Sequence, residues 1–369
     1  MEATVKAKIL KVRSNAAPGP DGITAKVLHE VVNEVSVPLA IIFQKSLSEG
    51  VVPADWRSAN VTPIFKKGGK GNPGNYRPVS LTCIVCKVME AILKDSIVEH
   101  ITTNNLILPS QHGFMAKKSC LTNLLEFLEE VTALVDQGHD VDVVFLDFAK
   151  AFDKVPHQRL VAKMLAHGIS GDVVKWVEAW LSNRQQRVVL NGVVSDWKTV
   201  WSGVPQGSVL GPTLFILFIN DIDGAVDTVS GIIKKFADDT KVARKVATDE
   251  DRKAYQKDMD NLFSWSVEWA MLFNVSKCKV LHIGKSNPRF TYTMDGNDLL
   301  EVSEEKDVGV FMHSSLKPSL QCAKAAKKGN QVLGQLARAF TYRDKRTYIR
   351  LYVQFVRPHL ENCVAAWSP

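Results

Sequence analysis

The 369-residue chain lacks any uninterrupted apolar run of the roughly 18 residues that a membrane-crossing helix requires. Its longest strongly apolar stretch, Val209 to Ile219, is broken by Gly211 and Pro212, so no membrane association is expected. No signal-peptide pattern opens the sequence. Six cysteines lie scattered at positions 83, 86, 120, 278, 322 and 363, a pattern that suits reduced thiols in an intracellular protein, cytosolic or nuclear, better than a secreted disulfide framework. Cys83 and Cys86 have the spacing of a zinc knuckle, but neither a second such pair nor paired histidines accompany them. Gly284-Lys285-Ser286 lacks the first glycine of a phosphate loop, because position 279 is lysine. HExxH and GxSxG are also missing, which removes the common zinc-protease and serine-hydrolase signatures.

What remains is ordinary globular composition, 46% hydrophobic and 23% charged, in a chain long enough for two or three connected lobes. Its net charge of +7 is unevenly placed. Between His313 and Leu360 stand Lys317, Lys324, Lys327, Lys328, Arg338, Arg343, Lys345, Arg346, Arg350 and Arg357 against the single acid Asp344, a local excess of +9 that leaves the rest slightly acidic. Such a concentration points to a polyanionic partner.

The periodicities predict a mixture of helices and strands. Thr24 is placed to cap a helix with Val27, Leu28, Val31, Val32 and Val35 on one side. A glycine-rich basic loop from Pro63 to Pro78 is expected between a short strand and a helix that begins near Leu81. The β-branched run Val141 to Phe148 predicts a buried strand with Asp147 near its end, followed by a helix from about His157 to His167. Farther on, GIIKKFADDTKVA predicts two short strands meeting at Asp238-Asp239, and Asp295-Gly296 a second hairpin. From Leu320 to Leu351 the period is helical, with Val332, Leu333 and Leu336 expected inward.

An aspartate at a strand end and an adjacent pair at a hairpin tip are what a sheet would contribute to a two-metal site. Three carboxylates in one pocket raise one another's pKa, and divalent cations keep them ionised. Magnesium suits oxygen-only ligation shared with substrate phosphates, and two ions roughly 3.5 to 4 Å apart serve nucleotidyl transfer by activating a 3′-hydroxyl and stabilising the departing pyrophosphate. Taken alone, an Asp-Asp turn is usually structural, because turns favour Asp.

Context changes that balance. In order along the chain, NYRPVSL (75–81), FLDFAKAFDKV (145–155), VPQGSVLGP (204–212), FADD (236–239) and NVSKCK (274–279) resemble successive reverse transcriptase motifs. EEKDVGVFMHSSL and the closing LYVQFVRPHLENCVAAWSP are similar to polymerases of non-LTR, LINE-type retrotransposons of the jockey and chicken-repeat kind.

The resemblance covers nearly the whole chain and implies an α+β, right-hand polymerase fold: an N-terminal extension to residue 50, fingers over 51–140, a palm over 141–312 and a thumb over 313–369. It implies that Asp147, Asp238 and Asp239 are the metal-binding carboxylates for two Mg2+ ions, with Mn2+ as the alternative, and that Lys277 stands near the leaving pyrophosphate. Phe152 would lie under the sugar and exclude a 2′-hydroxyl, Gln206 and Gly207 would lie against the incoming deoxynucleoside triphosphate and template, and Arg77 with Lys66 or Lys67 would close on the triphosphate. Lys317, Lys324, Lys327, Lys328 and Arg338 of the thumb would grip the duplex of RNA template and DNA primer through its phosphates. The family usually carries an upstream endonuclease and often a segment after the thumb, so the chain is expected to be a fragment or a decayed copy. Oligomeric state is left open. Two rival readings are a two-metal nuclease, which would have no use for Phe152, Gln206 and Arg77, and a catalytically lapsed nucleic-acid-binding remnant.

Overall fold

The computed structural model describes residues 1–342 and 344–368. Arg343, counted above in the basic segment, and Pro369, the end of the expected thumb, lie outside the described residues. The chain divides into two compact units that interleave in sequence. The first takes Met1–Leu108, Ala149–Asp221 and Glu268–Met271, and the second takes Pro109–Phe148, Ile222–Val267 and Leu272–Pro369.

In the first unit the strand Ser58–Phe65 pairs antiparallel with Tyr76–Thr82 on one side and parallel with Arg184–Leu190 on the other. The expected loop from Pro63 to Pro78 is therefore shorter than its composition implies. Its ends are paired strand residues, Pro63 opposite Pro78 and Phe65 opposite Tyr76, and the last pair is locked by an edge-on ring contact at 5.4 Å. The following helix is Ile84–Thr103. Thr24 caps its helix as expected, accepting the Val27 N–H. That helix stops at Glu30, however, and a second runs Val32–Glu49, so Leu28 and Val32 are buried while Val27 and Val31 face solvent. The core is built on Phe43, Trp176 and Trp180, with the Trp176 indole N–H donating to Ser46 Oγ at 2.9 Å.

In the second unit a five-stranded sheet has the order Leu300–Val302, Lys279–Ile283, Val141–Leu146, Asp239–Lys245, Gly231–Phe236. Only its first pairing is parallel. One face packs Val141, Val143, Ala243, Leu281 and Ile283 against Phe127 and Val131 of the helix Cys120–Asp136. Ser119 opens that helix with a reciprocal capping box to Thr122. The other face carries an anchor the β-branched pattern gave no hint of. Asp142, fully buried, accepts from the Tyr292 hydroxyl and the Asn287 amide at 2.6 and 2.8 Å and pairs with His282 Nδ1 at 2.6 Å. The second hairpin forms at Asp295-Gly296, both with positive φ.

The long basic helix is Ser319–Ala339. It buries Gln321, Ala325 and Gly329, and half-buries Val332 and Leu336, whereas Leu333 is turned to solvent, one position out of the inward row. Gly329 belongs in that row because an added Cβ would stand 3.0 Å from Leu360. No helix among the described residues is long and apolar enough to cross a membrane, and all six cysteines are free thiols.

Candidate active site

The strand Val141–Leu146 delivers Asp147 one residue past its last paired position, Leu146 opposite Thr240. Asp239 opens the neighbouring strand and pairs with Phe236, so the two-residue turn is Ala237-Asp238 rather than Asp238-Asp239. This register sets Asp147 and Asp239 side by side at one end of the sheet. Asp147 is held by its backbone: its N–H donates to Cys278 Sγ at 3.5 Å, and its carbonyl accepts from Asn274 at 2.7 Å.

Partial desolvation against the sheet end, then the negative charges of Asp238, Asp307 and Asp147, push the Asp239 carboxyl up to about 6, against the pull of Lys241. The residue still keeps solvent contact. Beneath it, the buried Lys241 ammonium is divided between Asp307 and Asn123 Oδ1, the latter at 2.8 Å. Lys277 reaches Asp147 Oδ1 at 3.5 Å as an exposed pair, an interaction worth roughly 0–1 kcal/mol.

The donors fit magnesium. They are carboxylate oxygens only, crowded enough that a cation would relieve their repulsion. Among the described residues no group of three or more His, Cys, Asp or Glu side chains forms a cage that could hold a metal ion. Mg2+ needs none, since it keeps several waters and is commonly held by one or two carboxylates plus substrate phosphates.

A pH-dependent consequence follows for the metal-free protein. An aspartate with an ordinary value of 3.8 and a folded value near 6 favours the fold fully below 3.8, and loses that contribution as pH rises through 6. Asp239→Asn removes the penalty. Thermal unfolding in chelator should show the variant matching wild type near pH 4 and melting about 2–4 °C higher above pH 6, a figure already discounted for solvent screening.

The first unit holds Lys66, Lys67, Arg77, Phe152, Gln206 and Gly207. Lys66, Lys67 and Arg77 are exposed around the loop end of the first hairpin, and that loop is ordered by Asn72 accepting from Gly74 and by the Tyr76 hydroxyl donating to the Lys70 carbonyl. Phe152 is half-buried and stacked on Phe215 at 4.4 Å, and its carbonyl accepts the Val204 N–H at 2.8 Å. The Gln206 amide donates to Asp153 Oδ1 at 3.1 Å, its carbonyl accepts from the Ser80 N–H at 2.7 Å, and Gly207 has φ +115°. Phe152, Gln206 and Gly207 are thus brought into one cluster. Burial raises the Asp153 carboxyl, offset first by the Gln206 bond and then by the charges of Lys150, Lys66 and Lys154.

Two residues of this cluster escaped the sequence reading. Asp153 lies inside a motif but was given no role. Glu90, fully buried, accepts the N–H groups of Val209 and Leu210 at 2.6 and 3.1 Å, and so fixes the chain between Gly207 and the buried helix Gly211–Ile219. The available signal was a lone acid within the apolar run KVMEAIL.

On the basic helix, Lys324, Lys327, Lys328 and Arg338 fall within about 100° of arc at 3.6 residues per turn, away from the buried row. Lys324 is partly committed within its own unit, to Glu304 at 2.7 Å and over the Phe311 ring at 4.2 Å. Lys317, just before the helix, is exposed.

A family model described as reverse transcriptase (RNA-dependent DNA polymerase) matches residues 64–334. The chain belongs to that family. It is 27% identical over 328 residues to the RNA-directed DNA polymerase from mobile element jockey of Drosophila funebris, covering 85% of this chain and 35% of that protein. With the jockey polymerase of Drosophila melanogaster it shares 30% identity over 287 residues, covering 74% and 31%. The chain therefore spans about a third of the length of these curated relatives. The expected kinship with polymerases of LINE-type elements is borne out. Among solved structures, apo telomerase from Candida tropicalis superposes with a TM-score of 0.50 at 10% identity, over 78% of this chain and 52% of that one, a likeness of fold alone.

Proposed function

We propose that this chain carries out RNA-directed DNA synthesis, extending a DNA primer on an RNA template with deoxynucleoside triphosphates. The observation that supports this reading best is the convergence of Asp147, Asp238 and Asp239 at one sheet end, where partial burial and then the neighbouring negative charges push Asp239 up to about 6. In the hand of a polymerase, this sheet is the palm, the first hairpin belongs to the fingers and the basic helix to the thumb.

Asp147, Asp238 and Asp239 would hold two Mg2+ ions. Bound there, the ions would supply charge neutralisation for phosphoryl transfer and a more acidic 3′-hydroxyl. Lys277, tethered to Asp147, is placed to neutralise charge beside that carboxylate or to give a proton to a departing phosphate. Lys66, Lys67 and Arg77 would take the triphosphate oxygens, the guanidinium in bidentate fashion. Gly207 would offer backbone with no side chain in the way, beside Gln206, whose amide is engaged by Asp153. Lys317, Lys324, Lys327, Lys328 and Arg338 would contact duplex phosphates, which carry no sequence information, so binding should be strongly salt-dependent.

Phe152 carries the sugar selectivity. Its ring is fixed by the stack on Phe215, so it cannot swing away from a 2′-hydroxyl without losing that contact. Phe152→Ala should raise ribonucleotide incorporation relative to deoxynucleotide by about tenfold or more, measured by single-nucleotide extension. Unchanged discrimination would make Phe152 a packing residue only.

The direct test of function is primer extension by purified protein on an RNA template with Mg2+ and the four deoxynucleotides. Template-dependent lengthening supports the proposal. Shortening of the primer would favour a nuclease, and salt-sensitive binding with neither reaction would favour a remnant that keeps only its grip.

A further inference from the structure

The turn that presents Asp238 and Asp239 has an unusual first residue. Ala237 takes φ +57°, a left-handed angle that favours glycine at the head of a two-residue hairpin turn and is unfavourable for a residue with a Cβ. Something beyond the hairpin must hold it there.

The segment Ser110 to Gly113 lies along the last residues of the strand Gly231–Phe236. Ser110 C=O accepts from Lys235 N–H, and His112 N–H donates to Lys235 C=O, both at 2.8 Å, as one parallel bridge centred on Gln111 and Lys235. The Gln111 side chain is fully buried. Its Oε1 accepts the Ala237 N–H at 3.0 Å and the Gly113 N–H at 2.7 Å, while Nε2 donates to the Ala237 carbonyl at a longer 3.5 Å. Both polar ends of one amide are therefore spent on the peptide groups of the residue just before Asp238. The fit is close: a Cβ on Gly113 would stand 2.2 Å from the Ala237 nitrogen.

We infer that Gln111 is a positioning residue for the carboxylate hairpin, clamping Ala237 in its left-handed conformation so that Asp238 and Asp239 are held ready to bind a divalent ion. This rests on reading those aspartates as metal ligands. A side-chain amide suits the task because it supplies an acceptor and a donor at fixed separation without adding charge beside three carboxylates.

The test uses the full chain and three variants. Gln111→Met keeps the side-chain length and removes the amide, whereas Gln111→Met/Ala237→Gly also removes the conformational penalty of the turn. Mn2+ affinity is read by electron paramagnetic resonance of the free ion, single-nucleotide extension gives kcat and KM, and circular dichroism with thermal unfolding reports the fold. We expect Gln111→Met to fold, to bind Mn2+ about tenfold more weakly and to lose kcat by a similar factor, as the loss of its buried hydrogen bonds to Ala237 and Gly113 implies, with KM for primer-template unchanged. The double variant should regain part of the Mn2+ affinity.

A folded Gln111→Met with wild-type affinity and kcat overturns the inference, as does a double variant that recovers nothing. Should Gln111→Met fail to fold, Gln111→Asn is read instead, since it keeps a neutral amide but draws it back by one methylene from Ala237. Weaker Mn2+ binding then upholds the clamp, and unchanged binding removes it. Wild-type protein that binds no Mn2+ sinks the metal-site reading itself and the role of Gln111 with it, a result distinct from those in which only the variants are informative.

Discussion

Asp238→Asn is expected to cut primer extension on the order of 10³-fold or more, while leaving primer-template affinity within about twofold of wild type. The substitution changes one oxygen to a nitrogen, so shape and turn geometry are preserved. It removes a proposed negative ligand from a site where partial burial and then neighbouring carboxylates already raise the Asp239 carboxyl to about 6. Phosphate contacts are proposed for a different set of residues, the lysines and arginine of the basic helix, none of which takes part in the carboxylate cluster. Extension assays with parallel filter-binding titrations over salt concentration separate the two. Equal loss of synthesis and binding would mean that the carboxylates hold the nucleic acid as well as the metal, and that the division of labour is wrong.

Gly207→Ala should be nearly as damaging, for a steric reason. Gly207 has φ +115°, outside the comfortable range of any L side chain, and a Cβ there would meet the Ser80 carbonyl oxygen at 2.5 Å. That contact is with backbone, which cannot swing aside as a side-chain tip could. The neighbouring bond from Ser80 N–H to the Gln206 carbonyl draws strand and loop together from the other side. The alanine must push the loop off the strand, displacing Gln206 from Asp153. We expect a stability loss of about 1–3 kcal/mol and extension reduced about 100-fold or more, with KM for deoxynucleotide raised. Denaturant unfolding and steady-state kinetics measure both. A variant with lowered stability and normal KM would show that the loop serves the fold alone.

The central strand and the carboxylate hairpin were legible in the sequence because their signals are local. Val141 to Phe148 is a β-branched run bounded by an aspartate, and β-formers flank FADD on both sides. The first hairpin was harder. Three prolines and several glycines mask strand character in residues 63–78, yet Pro63 and Pro78 lie opposite each other in the ladder. The single early helix failed because Val31, at φ −105° and ψ 23°, breaks it and rotates the following valines to a new face. Leu333 failed because small residues, Ala325 and Gly329, define the buried row of the basic helix, and an apolar pattern underweights them.

The least legible features are polar bonds between distant parts of the chain. Glu90 serves Val209 and Leu210, Gln111 serves Ala237, and Asp142 serves His282 and Tyr292. No window of ten or twenty residues holds both partners, so periodicity is blind to them. Family motifs covered Val209, Leu210 and Ala237, but not Glu90 or Gln111, which hold them, nor either end of the Asp142 anchor.

The order of the sheet bears on how the protein comes into being. The strand ending at Asp147 needs Asp239–Lys245 on one side and Lys279–Ile283 on the other. A ribosome has therefore to deliver about a hundred further residues before the first neighbour exists, and more before the second. Contacts of such sequence separation form late and slowly. Before those strands pair, the three aspartates share no sheet end, so the proposed metal site does not yet exist on the nascent chain. Catalytic competence should emerge in one late step, when the sheet closes, so the rate at which Mn2+ affinity appears on refolding should match that of sheet formation rather than that of helix formation.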